Sequence, residues 1–292
     1  MAYSTTPVDT YRGTSGVSLP KQLSNEILQS AQEQSLIMRL ARKVTLPGSG
    51  LSIPVILSDP DAAWIGESTE KHVGEPGLST KNMVPYKVAL IELFSDEFKR
   101  DLPALYQALV DRLPGAIAKK FDATVLNGTA PGTGFDVLTN SPTQDIETDV
   151  WAGLVASKKK VADKGGRLNG WAFDAAGEAL LLGSTDDNGR PLFIDSARDG
   201  EVSRLLAAPV YISQAAGLAS SDVLGVAGDW SKAAWGIVED IKIKISEEAT
   251  INDGSNQINL WQRNMFAVMV EAELGFVCVD VDYFVHLKEA NL

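Results

Sequence analysis

Histidine and cysteine are nearly missing, with two histidines and one cysteine in 292 residues. A lone Cys278 excludes an intrachain disulfide and fits a reducing compartment such as the cytosol. His72 and His286 have no Cys, His or carboxylate neighbours at metal-ligand spacing. No metal site is therefore expected, and each reads as a surface or hydrogen-bonded histidine. Positive charge is also short: 26 Lys and Arg stand against 38 Asp and Glu, a net charge of −12. Gripping a phosphate backbone needs an excess of Lys and Arg, so no specific DNA site is expected. An acidic surface can still stand beside packed DNA without holding it. No apolar run is long enough to cross a bilayer. Residues 1–18 lack the apolar segment of a signal peptide.

Signatures of catalysis are equally scarce. There is no G-x-S-x-G elbow. The run Gly128, Gly132, Gly134 follows a helix pattern and lacks the Lys-Ser/Thr of a phosphate loop, so it reads as a helix stop and turn. Asp186 to Gly189 lacks calcium-loop spacing. Glu67 and Glu70 could pair as acid and base, but a polar, charged loop does not shift carboxyl pKa values as burial does. Neither an enzyme nor a cofactor is expected.

What is present suffices for a large core, since 45% of residues are hydrophobic. Residues 1–18 read as an extended arm. A helical stripe follows Pro20 through Leu23, Ile27, Ala31, Leu36, Met38, Leu40 and Ala41, with a break near Ser35 and an end at Pro47–Gly50. Leu51–Leu57 and Pro85–Leu93 are β-rich. The 58–84 stretch between them is polar and Gly/Pro-rich, so 51–88 reads as a long hairpin projecting from the body. The strongest helix runs from Ser95 through Leu102, Leu105, Leu109, Leu113, Ile117, Phe121 and Val125 to Asn127-Gly128. Pro114 predicts a kink in it. Residues 129–237 look mixed α/β. Beyond them, Ile241, Ile243 and Ile245 alternate with Lys242, Lys244 and Ser246, and 264–279 form a long strand with Phe266, Val268, Val270, Ala272 and Leu274 on one face. The six tryptophans read as core or interface anchors. Trp64 stands out, because it begins the projecting loop where an intrachain core is least available.

Several short motifs, in order along the chain, resemble the major capsid proteins of tailed bacteriophages, the Hong Kong 97-like family. They are Ala63-Trp64-Ile65-Gly66-Glu67, Lys87 to Ser95, Ala116-Ile117-Ala118 through Phe121-Asp122, and Val125-Leu126-Asn127-Gly128. Further on come Leu180-Leu181-Leu182 with Asn188-Gly189-Arg190-Pro191-Leu192, then Ala208-Pro209-Val210 and Gly228-Asp229-Trp230-Ser231. The resemblance spans about Leu19 to Leu287.

That resemblance implies an α+β fold with an N-terminal arm (1–20), an extended E-loop (51–85), a P-domain (21–50, 86–128 and 238–276) and an A-domain (129–237 and 277–292). It implies a virion subunit, assembled in the host cytoplasm, that forms hexamers and pentamers with copies of itself around double-stranded DNA. Portal, scaffold and decoration proteins would be its other partners. About 20 residues precede the first helix, too few for a built-in scaffold, so a separate scaffold is expected. Inter-subunit contact is expected at Trp64, Glu67 and Lys71. Some family members weld their shells by an isopeptide bond, and the positions of Lys71, Asn264 and Glu271 match the lysine, asparagine and glutamate that do so. Two other readings compete: an encapsulin-type compartment, recognisable by a protein cargo, and a soluble α+β hydrolase.

Overall fold

The computed structural model describes residues 35–58, 62–67, 70, 71, 73, 77–95, 102–185, 190, 204–212, 222–239, 241–252 and 257–289, with backbone alone for 57, 58, 95, 102–114 and 243. The expected arm, the helical positions Leu23, Ile27 and Ala31, His72, and the turn at 186–189 lie outside the described residues.

Ser35 does end one pattern and begin another. It caps the short helix α1 (Leu36–Leu40), its side chain accepting from Met38 N at 3.1 Å. The expected helical stripe stops six residues earlier than Pro47. Arg42–Thr45 forms strand β1, paired in parallel with Ala233–Ile237. Extended pairing with a buried neighbour strand outweighs local helical spacing there.

Strands β2 (Leu51–Ser58) and β3 (Gly77–Met83) form the expected hairpin, from Leu51↔Met83 to Ile56↔Leu78 and a bulge before Ser58. The returning strand, however, is 77–83 rather than 85–93. Its sequence GLSTKNM has little apolar alternation, since four of its seven residues are exposed, and backbone pairing with β2 holds it. Tyr86–Ser95 is a separate strand, β4, which joins the main sheet.

Helix α2 (Leu102–Asn127) is continuous through Pro114, with 26 residues and a length of about 39 Å. Its buried Ile117, Phe121, Val125 and Leu126 share one core with Phe266, Val268, Val270 and Leu274, as the stripe predicts. Segment 128–141 then folds back onto the same layer. Leu138 N donates to Val125 O at 2.8 Å and Asp136 N to Phe276 O at 3.0 Å.

The second half begins with β5 (Thr143–Asp145), α3 (Val150–Asp163), β6 (Gly170–Phe173) and α4 (Ala175–Gly183). Next come β7 (Arg204–Leu205), β8 (Ala208–Ile212), β9 (Val223–Gly228) and β10 (Ala233–Ile237). The chain then runs through β11 (Lys242–Ser246), the small pair β12 (Thr250–Asn252) and β13 (Gln257–Asn259), β14 (Met265–Cys278) and β15 (Phe284–Lys288). Asp149 and Asp174 cap the two helices, accepting from Ala152 N and Gly177 N.

Two sheets result. The first is organised by β14, with β4 on one edge, β11 and β10 one after the other along the opposite edge, and β1 outside β10. The second runs β5-β15-β9-β6-β8-β7 and packs against α3 and α4 through Trp171, Phe173, Leu154, Val161 and Leu181. Strand β10 pairs Ala233↔Cys278 through Ile237↔Leu274, so 233–237 and 277–278 belong to the first sheet. Two glycines, Gly236 and Gly275, face each other in this ladder and leave room for Leu46 and Met83.

Candidate functional site

Among the described residues no group of His, Cys, Asp and Glu is placed to hold a metal ion, and the candidate geometry lies on the surface. Its centre is the β2–β3 hairpin, firmly rooted and apolar at its free end. At the root, Met83 is buried with Leu46, Ala234 and Val277. Lys81 Nζ reaches Asp136 at 3.2 Å, and Val84 N donates to Gly134 O at 2.8 Å. Gly134 must be glycine there: its φ is +80°, and a Cβ would sit 2.6 Å from Val84 Cγ2.

Beyond the root, one face of the ribbon turns outward. Ile56 and Leu78, directly opposite each other, are 62% and 72% exposed. Past them Val73 is 80% exposed, and Trp64 is fully exposed at 104%. Glu67, Glu70 and Lys71 are exposed beside it. Grouped exposed apolar side chains of this kind are typical of interaction surfaces.

The other predicted positions lie just before β14 and within it. Asn264 opens it in a left-handed conformation (φ 50°, ψ 54°) after the 3₁₀ turn Trp261–Arg263, and is exposed. Glu271 sits mid-strand with its side chain only 17% exposed, 3.7 Å from Lys87 Nζ and 3.9 Å from Lys244 Nζ. Seven strand residues separate the two by about 23 Å, so one subunit does not bring Asn264 and Glu271 together. Asn264 stands outside the regular strand, and the alternation of strand faces does not apply to it.

The tryptophans divide. Trp171, Trp230 and Trp235 are buried, whereas Trp64, Trp151 and Trp261 are exposed. Trp261, 71% exposed close in sequence to Asn264, is an exposed tryptophan that the sequence did not single out. Its polar setting, Asn259-Leu-Trp-Gln-Arg-Asn264, was the available signal.

Three other titratable groups, His286, Cys278 and Asp122, are buried in the core. His286 is buried with Nε2 2.9 Å from Leu126 O, and burial lowers its pKa. Burial, then the nearby Asp136 carboxylate, push the Cys278 thiol up to about 12, which makes it inert. Asp122, on α2, is buried and accepts from Ser35 Oγ (2.6 Å), Leu36 N (2.7 Å) and Ile37 N (3.2 Å). Burial raises its pKa to about 6 against those three hydrogen bonds.

Comparison with known proteins identifies the family. Residues 15–288 match the phage capsid family. A probable major capsid protein of Mycobacterium phage L5 is 31% identical, over 94% of this chain and 90% of its own. Its counterpart in Mycobacterium phage D29 is 30% identical over 92% and 89%. A solved chain from Gordonia phage Cozz superposes with a TM-score of 0.71 at 25% identity, covering 89% of this chain and 87% of that one. Matched along nearly its whole length, the chain belongs to the phage capsid family.

Proposed function

We propose that this chain, a structural major capsid protein of a tailed phage and not an enzyme, builds its shell as hexamers and pentamers enclosing double-stranded DNA. Capsid proteins of this family assemble with copies of themselves, and the chain is part of the virion. In the finer reading, 51–85 is the E-loop. The P-domain takes the first sheet and α2, now including 233–237 and 277–278, and the A-domain takes the second sheet. A portal, a separate scaffold and a decoration protein complete the particle, which assembles in the host cytoplasm. The DNA is enclosed without a specific site, in keeping with the charge of −12. The compartment-shell and hydrolase readings yield because relatives matched along the whole chain are phage capsid proteins.

One observation carries the assembly reading: the hairpin is anchored at its root yet exposes Ile56, Trp64, Val73 and Leu78. Buried against the adjacent subunit, Trp64 becomes a central aromatic anchor. Trp64→Asp is therefore expected to lower the yield of closed particles about tenfold or more. The unassembled subunit should keep its stability, because a fully exposed side chain has little packing to lose. Particle counts by negative-stain microscopy and urea unfolding measure the two effects. Parental particle yield from Trp64→Asp would show that the hairpin does not hold subunits together.

The covalent weld belongs to the same proposal. A neutral Lys71 amine attacks the Asn264 side-chain carbonyl of a neighbour, an isopeptide C–N bond forms, and ammonia leaves. Glu271 of a further subunit takes the proton from the attacking nitrogen and passes it to the departing one, which requires it to release Lys87 and Lys244. Boiled mature particles should then run as a ladder of covalent oligomers on a denaturing gel, and Lys71→Arg should remove it. A single band near 31.3 kDa from the parent chain ends this part of the reading.

A further inference from the structure

Away from the hairpin, a groove of about 460 Å³ lies between the flank of α2 and strand β4. That volume is within the range of about 300–1,000 Å³ typical of binding pockets. Buried Ile117, Phe121, Phe135 and Leu274 form its apolar lining, and exposed Lys120 stands at its mouth. Among the described residues β4 pairs with β14 alone, so the groove borders an open sheet edge. Lys119 and Lys120 carry no ion pair among the described residues. The acidic residue three or four positions from them on the helix is Asp122. It is buried and committed to Ser35, Leu36 and Ile37. The groove is therefore apolar inside and cationic at its lip.

Outside the hairpin, the exposed large apolar side chains among the described residues are Ile91, Trp151, Val155 and Trp261. Charge separates the two tryptophans. Trp261 is followed by Arg263, which has the same sign as the lip of the groove. Trp151 and Val155, 48% and 44% exposed, stand one turn apart on α3. They follow Asp145, Glu147 and Asp149, all exposed. Lys160 Nζ reaches the same stretch, donating to Thr143 O at 2.6 Å, and three carboxylates against one amine leave an acidic surplus. The start of α3 is thus an aromatic knob with an acidic collar.

From this we infer that α3 of one subunit seats Trp151 and Val155 in the α2–β4 groove of a second copy, with Glu147 against Lys120. The inference rests on the proposed assembly of like subunits into rings and concerns surfaces other than the hairpin. Three observations favour this occupant. Knob and groove match apolar to apolar and acid to base, and an exposed aromatic entering an apolar pocket is the usual centre of an interface. The knob is exposed and the groove open in the same subunit, so they do not meet within one chain. Two unlike surfaces also make a head-to-tail, heterologous contact, the kind that closes into rings.

The experiment uses the full chain and reads closed-particle yield. Trp151→Asp should lower yield about tenfold or more. Lys120→Glu and Glu147→Lys should each lower it about tenfold. Combining the two reversals should restore it to within about twofold of the parent. A second arm uses Lys71→Arg chains, which cannot form the proposed weld. In them, Lys120→Cys with Glu147→Cys should give reducible intermolecular disulfides in assembled particles, and either cysteine alone should not. Cys278 is buried and stays silent.

Parental yield from Trp151→Asp and Lys120→Glu, together with loss from Trp64→Asp, would overturn the groove contact while leaving the hairpin reading intact. Parental yield from all three would overturn both. Folded subunits, checked by thermal unfolding, whose lost yield the combined reversal fails to restore would place a different occupant in the groove and overturn the contact. If the reversals unfold the chain, the cysteine pair decides, and particles without the disulfide overturn it.

Discussion

Asp122→Asn is expected to remove a decline in subunit stability that the parent shows between about pH 4 and pH 6. The carboxyl lies inside the core and accepts three hydrogen bonds from Ser35, Leu36 and Ile37. None of these partners is a cation, and burial outweighs them, so its pKa rises from 3.8 to about 6. A folded pKa above the unfolded one means that the folded state holds the proton longer. The group's favourable contribution is complete below pH 3.8 and is lost as pH rises through about 6. Over that window the loss is roughly 3 kcal/mol, at about 1.4 kcal/mol per pH unit of displacement. Asparagine stays neutral and lacks this slope. Asp122→Ala behaves differently. It strands a buried hydroxyl and two buried backbone N–H groups, at a cost of about 2–4 kcal/mol at pH 5. Urea unfolding of the unassembled subunit from pH 4.5 to 7.5 measures both variants. Superimposable pH profiles for the parent and Asp122→Asn would show that the carboxyl does not titrate as described.

This contact also shows what a sequence can and cannot reveal. Asp122 was visible only as part of the Phe121-Asp122 motif, because its partners lie more than 80 residues away. Helix α2 was legible because its apolar residues recur at helical spacing and it ends in Asn127-Gly128. Strand β14 was legible because Phe266, Val268, Val270, Ala272 and Leu274 alternate over most of its length. The hairpin was legible as a projection, but its return strand was not. GLSTKNM has no buried face until Met83, so periodicity had nothing to report. Strand β10 failed for the opposite reason: Ala233–Ile237 is buried throughout, and a continuous apolar run does not say which sheet it joins. The candidate site was partly legible. Trp64, Glu67 and Lys71 are exposed, but a sequence does not say what covers such side chains.

Phe121→Ala is expected to destabilise the subunit by about 3–5 kcal/mol, which is a large share of the roughly 5–15 kcal/mol typical of folded domains. Phe121 is 1% exposed and is the point where α2 meets a chain of rings. Its ring stands edge-on to Phe135, with centroids 6.3 Å apart and planes at 87°. Phe135 in turn meets Tyr86 at 6.1 Å and Phe276 at 6.5 Å. Those rings belong to the segment after α2, to β4 and to β14. One truncation therefore opens a void where four segments are held in register, and close packing leaves little scope for collapse. The loss should exceed simple transfer of the ring from water, because the neighbouring rings lose their partner as well. A double-mutant cycle with Phe135→Ala separates these contributions. The pair should be coupled by about 0.5–1.5 kcal/mol, the range for aromatic contacts beyond area burial. Tyr86 Oη, which donates to Thr133 O at 2.8 Å, should keep β4 and the 128–141 segment together in Phe121→Ala. Hydrogen exchange is therefore expected to rise first in the last turns of α2 rather than in β4. A loss below about 1 kcal/mol, typical of surface positions, or no coupling to Phe135, would show that the ring chain does not fix α2 on the sheet.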